Sequence, residues 1–484
     1  MKNIIIKTIG VSLLLAMTSG CTSFVEDSNV DPDLLVTGNA KDYFQGILLA
    51  NQFFQNSDQA RTAMVWLNQA NGEDRQYLTL NDWNNSVSSE YDDGWNIAYA
   101  NCITQAKIAE KLCDRESNKM LKGAIQIIDA HCIGTIASLW GDAPYSDMDI
   151  TGNNLTPTYD SQASIYAQVQ ALLDDAIANL NSPGVIDATA DFYYGGDQDK
   201  WIKLAYSLKA RFYLHTGDYP NAKANALLGI SDASGDLKAV FGSTGSLQDF
   251  NPYYSFLIYE RDSYMSGDSY AYNILNPTDA IYRGNAKTDE SARFAFNYTD
   301  LSGDGYFDKA LNVYGTDYGG TNGKFGNDSA MPMVTYGEML LIIAEVDARS
   351  SFASGLTSYN NYRALLNTGY SIGIDNSGYE TETFSYAAYD AADFAGGGIE
   401  NSAASLTDQN ALLREIMQER YIYFIGSLEC FNDFGRTDNM AEIELKSGNS
   451  GTPQRFLYPQ VEVNANPNTP NPIPSVTTKT PIHL

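Results

Sequence analysis

ARFYLHTGDYPNAKANALLGI, residues 210–230, is the stretch whose reading decides the fold. Ala210, Tyr213, Gly217, Asp218, Tyr219, Ala222 and Ala226 fall where a tetratricopeptide-type repeat puts its small and aromatic packing residues. Small side chains let two helices approach closely, and Gly217-Asp218-Tyr219 makes the turn between them. The pattern describes a helical hairpin. It describes a scaffold and names no activity.

The same period recurs on either side. Over residues 119–139, Leu121, Ala124, Ile125, Ile128, Cys132, Thr135, Ile136 and Leu139 repeat at three and four, marking one apolar helix face. Further helices are expected over 40–56, 89–113, 119–140, 161–181, 199–216, 219–230, 333–350, 357–368 and 407–424, clustered in pairs with short polar links. Two regions rich in Gly, Asp, Asn, Ser and Tyr interrupt them, 231–332 and 369–406. Long irregular insertions in a compact chain are usually functional surfaces. The stretch NANPNTPNPIPSV, 464–476, is expected to run extended over the surface. The expected fold is mainly α: tetratricopeptide-like helical hairpins with long irregular loop insertions.

Composition narrows the function. The 484 residues carry 30 basic and 59 acidic side chains, a net charge of −29, and that field repels nucleic acid. No apolar run long enough to span a bilayer follows the N-terminus. The N-terminus itself reads as an export signal: Lys2 and Lys7 precede a short apolar run, Ile9 to Met17, which ends at Ser19-Gly20-Cys21. A cysteine directly after small residues matches a bacterial lipobox, with Cys21 the acylated residue; the alternative is an ordinary secreted protein with an incidental cysteine. The chain is therefore expected to divide into a signal peptide (1–20), a lipidated tether (21–38) and one domain (39–484). Cys102 and Cys113 would stand about 16 Å apart on one helix, too far to bridge, and with Cys132 and Cys430 they are expected to be buried free thiols.

Several segments together resemble the SusD/RagB family of surface nutrient-binding lipoproteins, in its SusD-like branch. They are LWGDAPYSD (139–147) followed by 157–180, DFYYGGDQDKWIKLAYSLKARFYL (191–214), MPMVTYGEMLLIIAEVDAR (331–349), LLREIMQERYIYFIGSLECFNDFGRTDN (412–439) and RFLYPQVEVNANPN (455–468). The resemblance implies a helical core with tetratricopeptide-like hairpins, a site carried on long loops, and no catalytic activity. It implies a nutrient ligand, an oligosaccharide or a peptide, and a partner, a SusC-like TonB-dependent transporter barrel. It places the protein at the outer membrane on a lipid anchor, and Glu26-Asp27 resembles a surface-export signal. Phe431 and Gly435 depart from the branch pattern, where tryptophan and arginine are expected.

Binding a sugar asks for an aromatic platform with polar side chains beside it. NGEDRQYLTLNDWNN, 71–85, offers Arg75, Tyr77, Asp82, Trp83 and Asn84, although Trp83 could equally cap the core. A second cluster, 253–272, mixes Tyr259, Tyr264 and Tyr270 with Arg261, Asp262 and Asp268. Trp95, Trp140 and Trp201 are read as packing residues. Asp300, Ser302, Asp304 and Asp308 have the spacing of a calcium loop, but Leu311 stands where the bidentate glutamate belongs, so a polar turn without an ion is expected. The three histidines form no metalloenzyme motif, and no nucleophile or phosphate-loop motif is present. A lipid-anchored glycoside hydrolase and a tetratricopeptide-type protein adaptor are the competing readings. A hydrolase's carboxylate pair needs no sequence motif.

Overall fold

The structure, a computed structural model, describes residues 38–242, 249–300, 308–314, 323–370 and 382–483. Cys21, Glu26-Asp27 and the expected signal peptide lie outside the described residues, as do Ser302 and Asp304. From Ala40 onward the chain folds as one unit. Its helices are α1 (Ala40–Asn56), α2 (Asp58–Trp66), α3 (Arg75–Leu80), α4 (Thr104–Glu116), α5 (Lys119–Trp140), α6 (Gln162–Leu180), α7 (Gln198–His215), α8 (Tyr219–Ala226), α9 (Tyr336–Ser350), α10 (Phe352–Leu366), α11 (Asp408–Tyr423) and α12 (Glu429–Thr437), with shorter turns between them.

The hairpin of the opening stretch is α7–α8. Gly217 sits at φ 73°, and the Asp218 carboxylate caps α8 by accepting from the Asn221 amide at 3.2 Å. Ala210, Ala222 and Ala226 are buried between the helices. Similar turns close α4–α5, where Ser117 is left-handed and Asn118 caps α5, and α9–α10, where Ser351 accepts from the Ser354 amide at 3.2 Å. The whole of α5 from Gly123 to Trp140 is buried, so it forms the axis against which α1, α4, α6 and α7 pack. At Gly134 the fit is close: a methyl group there would stand 2.3 Å from Phe212 Cζ. The helix expected over 89–113 is broken by a π-helical turn, Ile97–Ile103, before α4.

Strands are few and short among the described residues. Five antiparallel pairs join β1 (Asn71–Gly72) to β5 (Met265–Ser266), β2 (Ala143–Pro144) to β3 (Tyr159–Asp160), β4 (Leu237–Ala239) to β9 (Met331–Val334), β6 (Thr288–Asp289) to β10 (Ser385–Tyr386), and β7 (Tyr298–Asp300) to β8 (Lys309–Leu311). The β7–β8 pair flanks the expected calcium loop with strands, pairing Asp300 with Lys309. Among the described residues no group of three or more His, Cys, Asp and Glu side chains could hold a metal ion. Cys102, Cys113, Cys132 and Cys430 are free and buried, and no described helix is long and apolar enough to cross a membrane.

Buried ion pairs hold the helices in register. Arg211 Nε and Nη2 donate to both Glu338 oxygens at 2.7 and 2.6 Å, fixing α7 to α9. Arg436 donates to both oxygens of Glu345 at 2.6 Å, and Arg420 donates to Asp433 at 2.7 and 2.9 Å, joining α9, α11 and α12. Arg283 and Arg293 converge on Glu290 and Glu419. Bidentate geometry and additional hydrogen bonds are what make such burial tolerable.

Candidate functional site

The two aromatic segments singled out in the sequence meet in space. β1 carries Asn71 opposite Ser266 and Gly72 opposite Met265 on β5, and the Glu73 amide extends the ladder by donating to the Tyr264 carbonyl at 2.8 Å. Asn81 clamps this ribbon from below: its side chain accepts from the Gly72 amide at 3.0 Å and donates to the Gly72 carbonyl at 2.7 Å. The chain entering β1 is tied to the core. Tyr421 of α11 donates to the Leu67 carbonyl at 2.8 Å, and Tyr298 donates to the Gln69 carbonyl at 2.8 Å. The ribbon is short but held on every side.

At one end of the ribbon lies an open cleft of about 480 Å³, lined by Asp74, Arg75, Gln76, Glu260, Arg261 and Tyr264 among others. Arg75 begins α3 with its side chain 73% exposed; its guanidinium carbon is 5.7 Å from the Tyr264 ring centre, and that of Arg261 is 5.8 Å from it. The nearest carboxylate to Arg75 is that of Asp74, at 3.6 Å, so its N–H groups face solvent and the cleft. Beside the cleft in sequence, a π-helical turn, Phe256–Glu260, carries Tyr259 outward, 54% exposed. Tyr259 lies over Phe250, with centroids 6.2 Å apart and planes 21° from parallel, and meets Tyr254 at 6.0 Å. Within the cleft, the Tyr264 ring lies beside two guanidiniums, the combination of aromatic and charged hydrogen-bonding groups that amphipathic polar ligands require.

A family model described as "Starch-binding associating with outer membrane", SusD-like, matches residues 28–459. The chain belongs to the SusD-like family. Solved structures share its fold: a SusD/RagB family protein from Bacteroides thetaiotaomicron (22% identity, TM-score 0.63, covering 89% of this chain and 95% of that one) and a chitin-binding SusD homologue from Flavobacterium johnsoniae (16%, 0.65, 92% and 98%). A SusD homologue from Bacteroides fragilis matches at 15% identity and TM-score 0.65, over 92% of this chain and 100% of that one. A comparison with curated proteins returns no match.

The SusD-like motifs lie in the scaffold. Arg211, Glu338, Glu345, Arg420, Asp433 and Arg436 all fall in the quoted motif segments, and every one is buried or nearly so in the ion pairs described above. Phe431, where the branch pattern has tryptophan, packs against Trp66 at 6.0 Å and Phe456 at 5.3 Å. At Gly435 a side chain would grow toward His483 and Gln454, whose Nε2 and Oε1 are buried without hydrogen-bond partners. Both departures are therefore structural positions. Trp95, Trp140 and Trp201 are core residues, as their motif positions suggested.

The six expected ligand contacts separate into three groups. Arg75 and Tyr264 share the cleft, although only the edge of Tyr264 is exposed, at 8%. Tyr77 and Trp83, expected to stack on a ligand, are inside the core at 6% and 1% exposure. Tyr77 is held there by Arg61, whose Nε donates to its hydroxyl at 2.9 Å, and by Phe256 at 4.6 Å; burial raises its pKa above the ordinary tyrosine value. Asp82 caps a short 3-10 turn by accepting from the Asn84 amide at 3.1 Å, and Asn84 exchanges hydrogen bonds with the Ser450 backbone at 2.8 and 3.1 Å. Their side chains brace the loop that carries the ribbon. Glu260 and the Phe250–Tyr254–Tyr259 cluster were not among the expected contacts as a group; the run of tyrosines in 253–272 was the signal for them.

Proposed function

We propose that this chain is a binding protein of the cell surface that captures an oligosaccharide and passes it to a SusC-like TonB-dependent transporter barrel. In this reading the first twenty residues are removed, acylation of Cys21 anchors the protein to the outer membrane, and the protein performs no bond cleavage. The observation that carries the reading is the meeting of Arg75, Arg261 and Tyr264 in one open cleft. Family membership supports it, because the family is described as starch-binding and outer-membrane-associated, and so does the chitin-binding relative. Arg75 and Tyr264 are the proposed contacts; Tyr77, Trp83, Asp82 and Asn84 support them from behind.

A glycan array followed by calorimetry on the purified protein tests the binding reading. Binding without release of shorter products supports it, and product release on prolonged incubation replaces it with a hydrolase. Protease treatment of intact cells tests the location, since a surface protein is cleaved and one facing the periplasm is spared.

A further inference from the structure

The β1–β5 ribbon has a second cleft at its other end. It encloses about 220 Å³ between Asn68, Asp268, Tyr270, Asn273, Ile281 and Glu444. Its chemistry differs from that of the arginine cleft. Ile281 is 46% exposed and Tyr270 partly so, giving the wall an apolar patch. Lys309 donates to Asp268 at 2.8 Å and to the Asn273 side-chain oxygen at 3.0 Å. That leaves the Asn273 amide N–H groups and the Glu444 carboxylate with no partner among the described residues. A wall offering a free carboxylate acceptor and free amide N–H donors around an apolar patch suits an uncharged molecule rich in hydroxyl groups, which both donate and accept.

The two clefts are joined rigidly. Asn71, which opens β1 and also lines the second cleft, donates to Glu73 at 2.8 Å and accepts from Lys446 at 2.7 Å. These bonds pin the Asn71 side chain between Glu73, next to the arginine cleft, and Lys446, and a stretch already held in one conformation saves ordering entropy when a ligand binds at its ends. From Tyr264 at one cleft to Asp268 at the other is four residues, roughly 13 Å at an extended rise of about 3.3 Å per residue.

Resting on the binding reading above, we propose that the ligand is an uncharged oligosaccharide long enough to span the roughly 13 Å between the clefts, occupying both at once. The arginine cleft grips one end, and Asn273 with Glu444 bonds the hydroxyl or N-acetyl groups of the other. Linking two weak contacts on one chain multiplies their affinities.

The test is calorimetry with chito-, malto- and xylo-oligosaccharides of two to six units on the wild-type protein and on the Asn273→Ala, Glu444→Ala double variant, with thermal melting to verify folding. For the series that binds, affinity is expected to rise about tenfold or more from dimer to hexamer, and the double variant to lose that gain, binding the hexamer no more tightly than the wild type binds the dimer. Equal affinity for dimer and hexamer, or a hexamer indifferent to the double variant but lost in Arg75→Ala, overturns the two-cleft inference and leaves the binding reading standing. No binding by the wild type in any of the three series overturns both.

Discussion

The guanidinium of Arg75 reaches to 5.7 Å from the centre of the Tyr264 ring, joining two segments that are remote in sequence through a ribbon of two residues per strand. The contact is within cation–π range, and being exposed it adds under about 1 kcal/mol to stability. Apart from the Asp74 carboxylate, 3.6 Å from Nε, the Arg75 guanidinium faces the cleft.

Replacing both guanidiniums, Arg75→Ala with Arg261→Ala, removes two exposed contacts to Tyr264 and is therefore expected to lower the unfolding free energy by no more than about 1–2 kcal/mol. The same double variant is expected to weaken carbohydrate binding by about 1–3 kcal/mol, which calorimetry against glycan-array hits measures. A large stability loss with unchanged affinity would reverse the roles assigned here.

Tyr77 gives the opposite result. Tyr77→Phe removes the acceptor of the buried Arg61 Nε and is expected to destabilise the fold by about 1–3 kcal/mol while leaving ligand affinity unchanged. Urea denaturation beside calorimetry separates the two effects.

Arg211→Met strands Glu338 without its counter-ion in the interior and is expected to cost about 3–5 kcal/mol. Arg211→Met combined with Glu338→Leu is expected to recover only part of that loss, because buried Glu429, 3.7 Å from Arg211 Nη1, still loses its guanidinium and keeps only His215 beside it. Guanidinium melts of the three proteins form the cycle.

Gly134→Ala places its methyl against the Phe212 ring and is expected to destabilise by about 1–3 kcal/mol. Adding Phe212→Leu should relieve the overlap, giving a double variant more stable than Gly134→Ala alone.

Acid should act on particular pairs. Burial alone would raise Glu345, but Arg436, Arg349 and Arg420 hold it down to about 2. Its contribution is present above the ordinary value of 4.5 and is lost as pH falls toward 2. Burial, with Arg211 nearby, lowers His131 to about 3, so the unfolded chain takes up a proton below 6.5 that the folded chain refuses, and stability falls between 6.5 and 3. Burial also lowers Lys324 to about 7, which makes stability rise with pH from 7 toward 10.5. Each group contributes a slope of about 1.4 kcal/mol per pH unit within its window. Melting curves across pH 3–10 on wild type, His131→Gln and Lys324→Met measure these slopes, and each variant is expected to flatten its own window.

The helices were legible because their apolar faces repeat. The expected spans 40–56 and 119–140 coincide with α1 and α5, and 407–424 with α11 to within one residue at each end. Where local signals were weaker the reading slipped: α10 starts at Phe352, because Ser351 both ends α9 and caps the next helix, and α2 and α12 are too short to show a period. The candidate site was half legible. Tyr77 and Trp83 had the composition of a binding loop, but nothing in a sequence says which aromatic of a loop turns inward. The union of Arg75 with Tyr264 depends on a pairing of two residues per strand, too brief to leave alternation in the chain.

The residues by which this chain is recognised as SusD-like are spent on internal charge pairs, while the ribbon and its two clefts draw on side chains outside those motifs. On the proposed reading, diet and architecture are written in separate parts of the chain. If the clefts select the nutrient as proposed, a lineage could exchange Arg75 or Glu444 for other side chains without unsettling a single buried arginine.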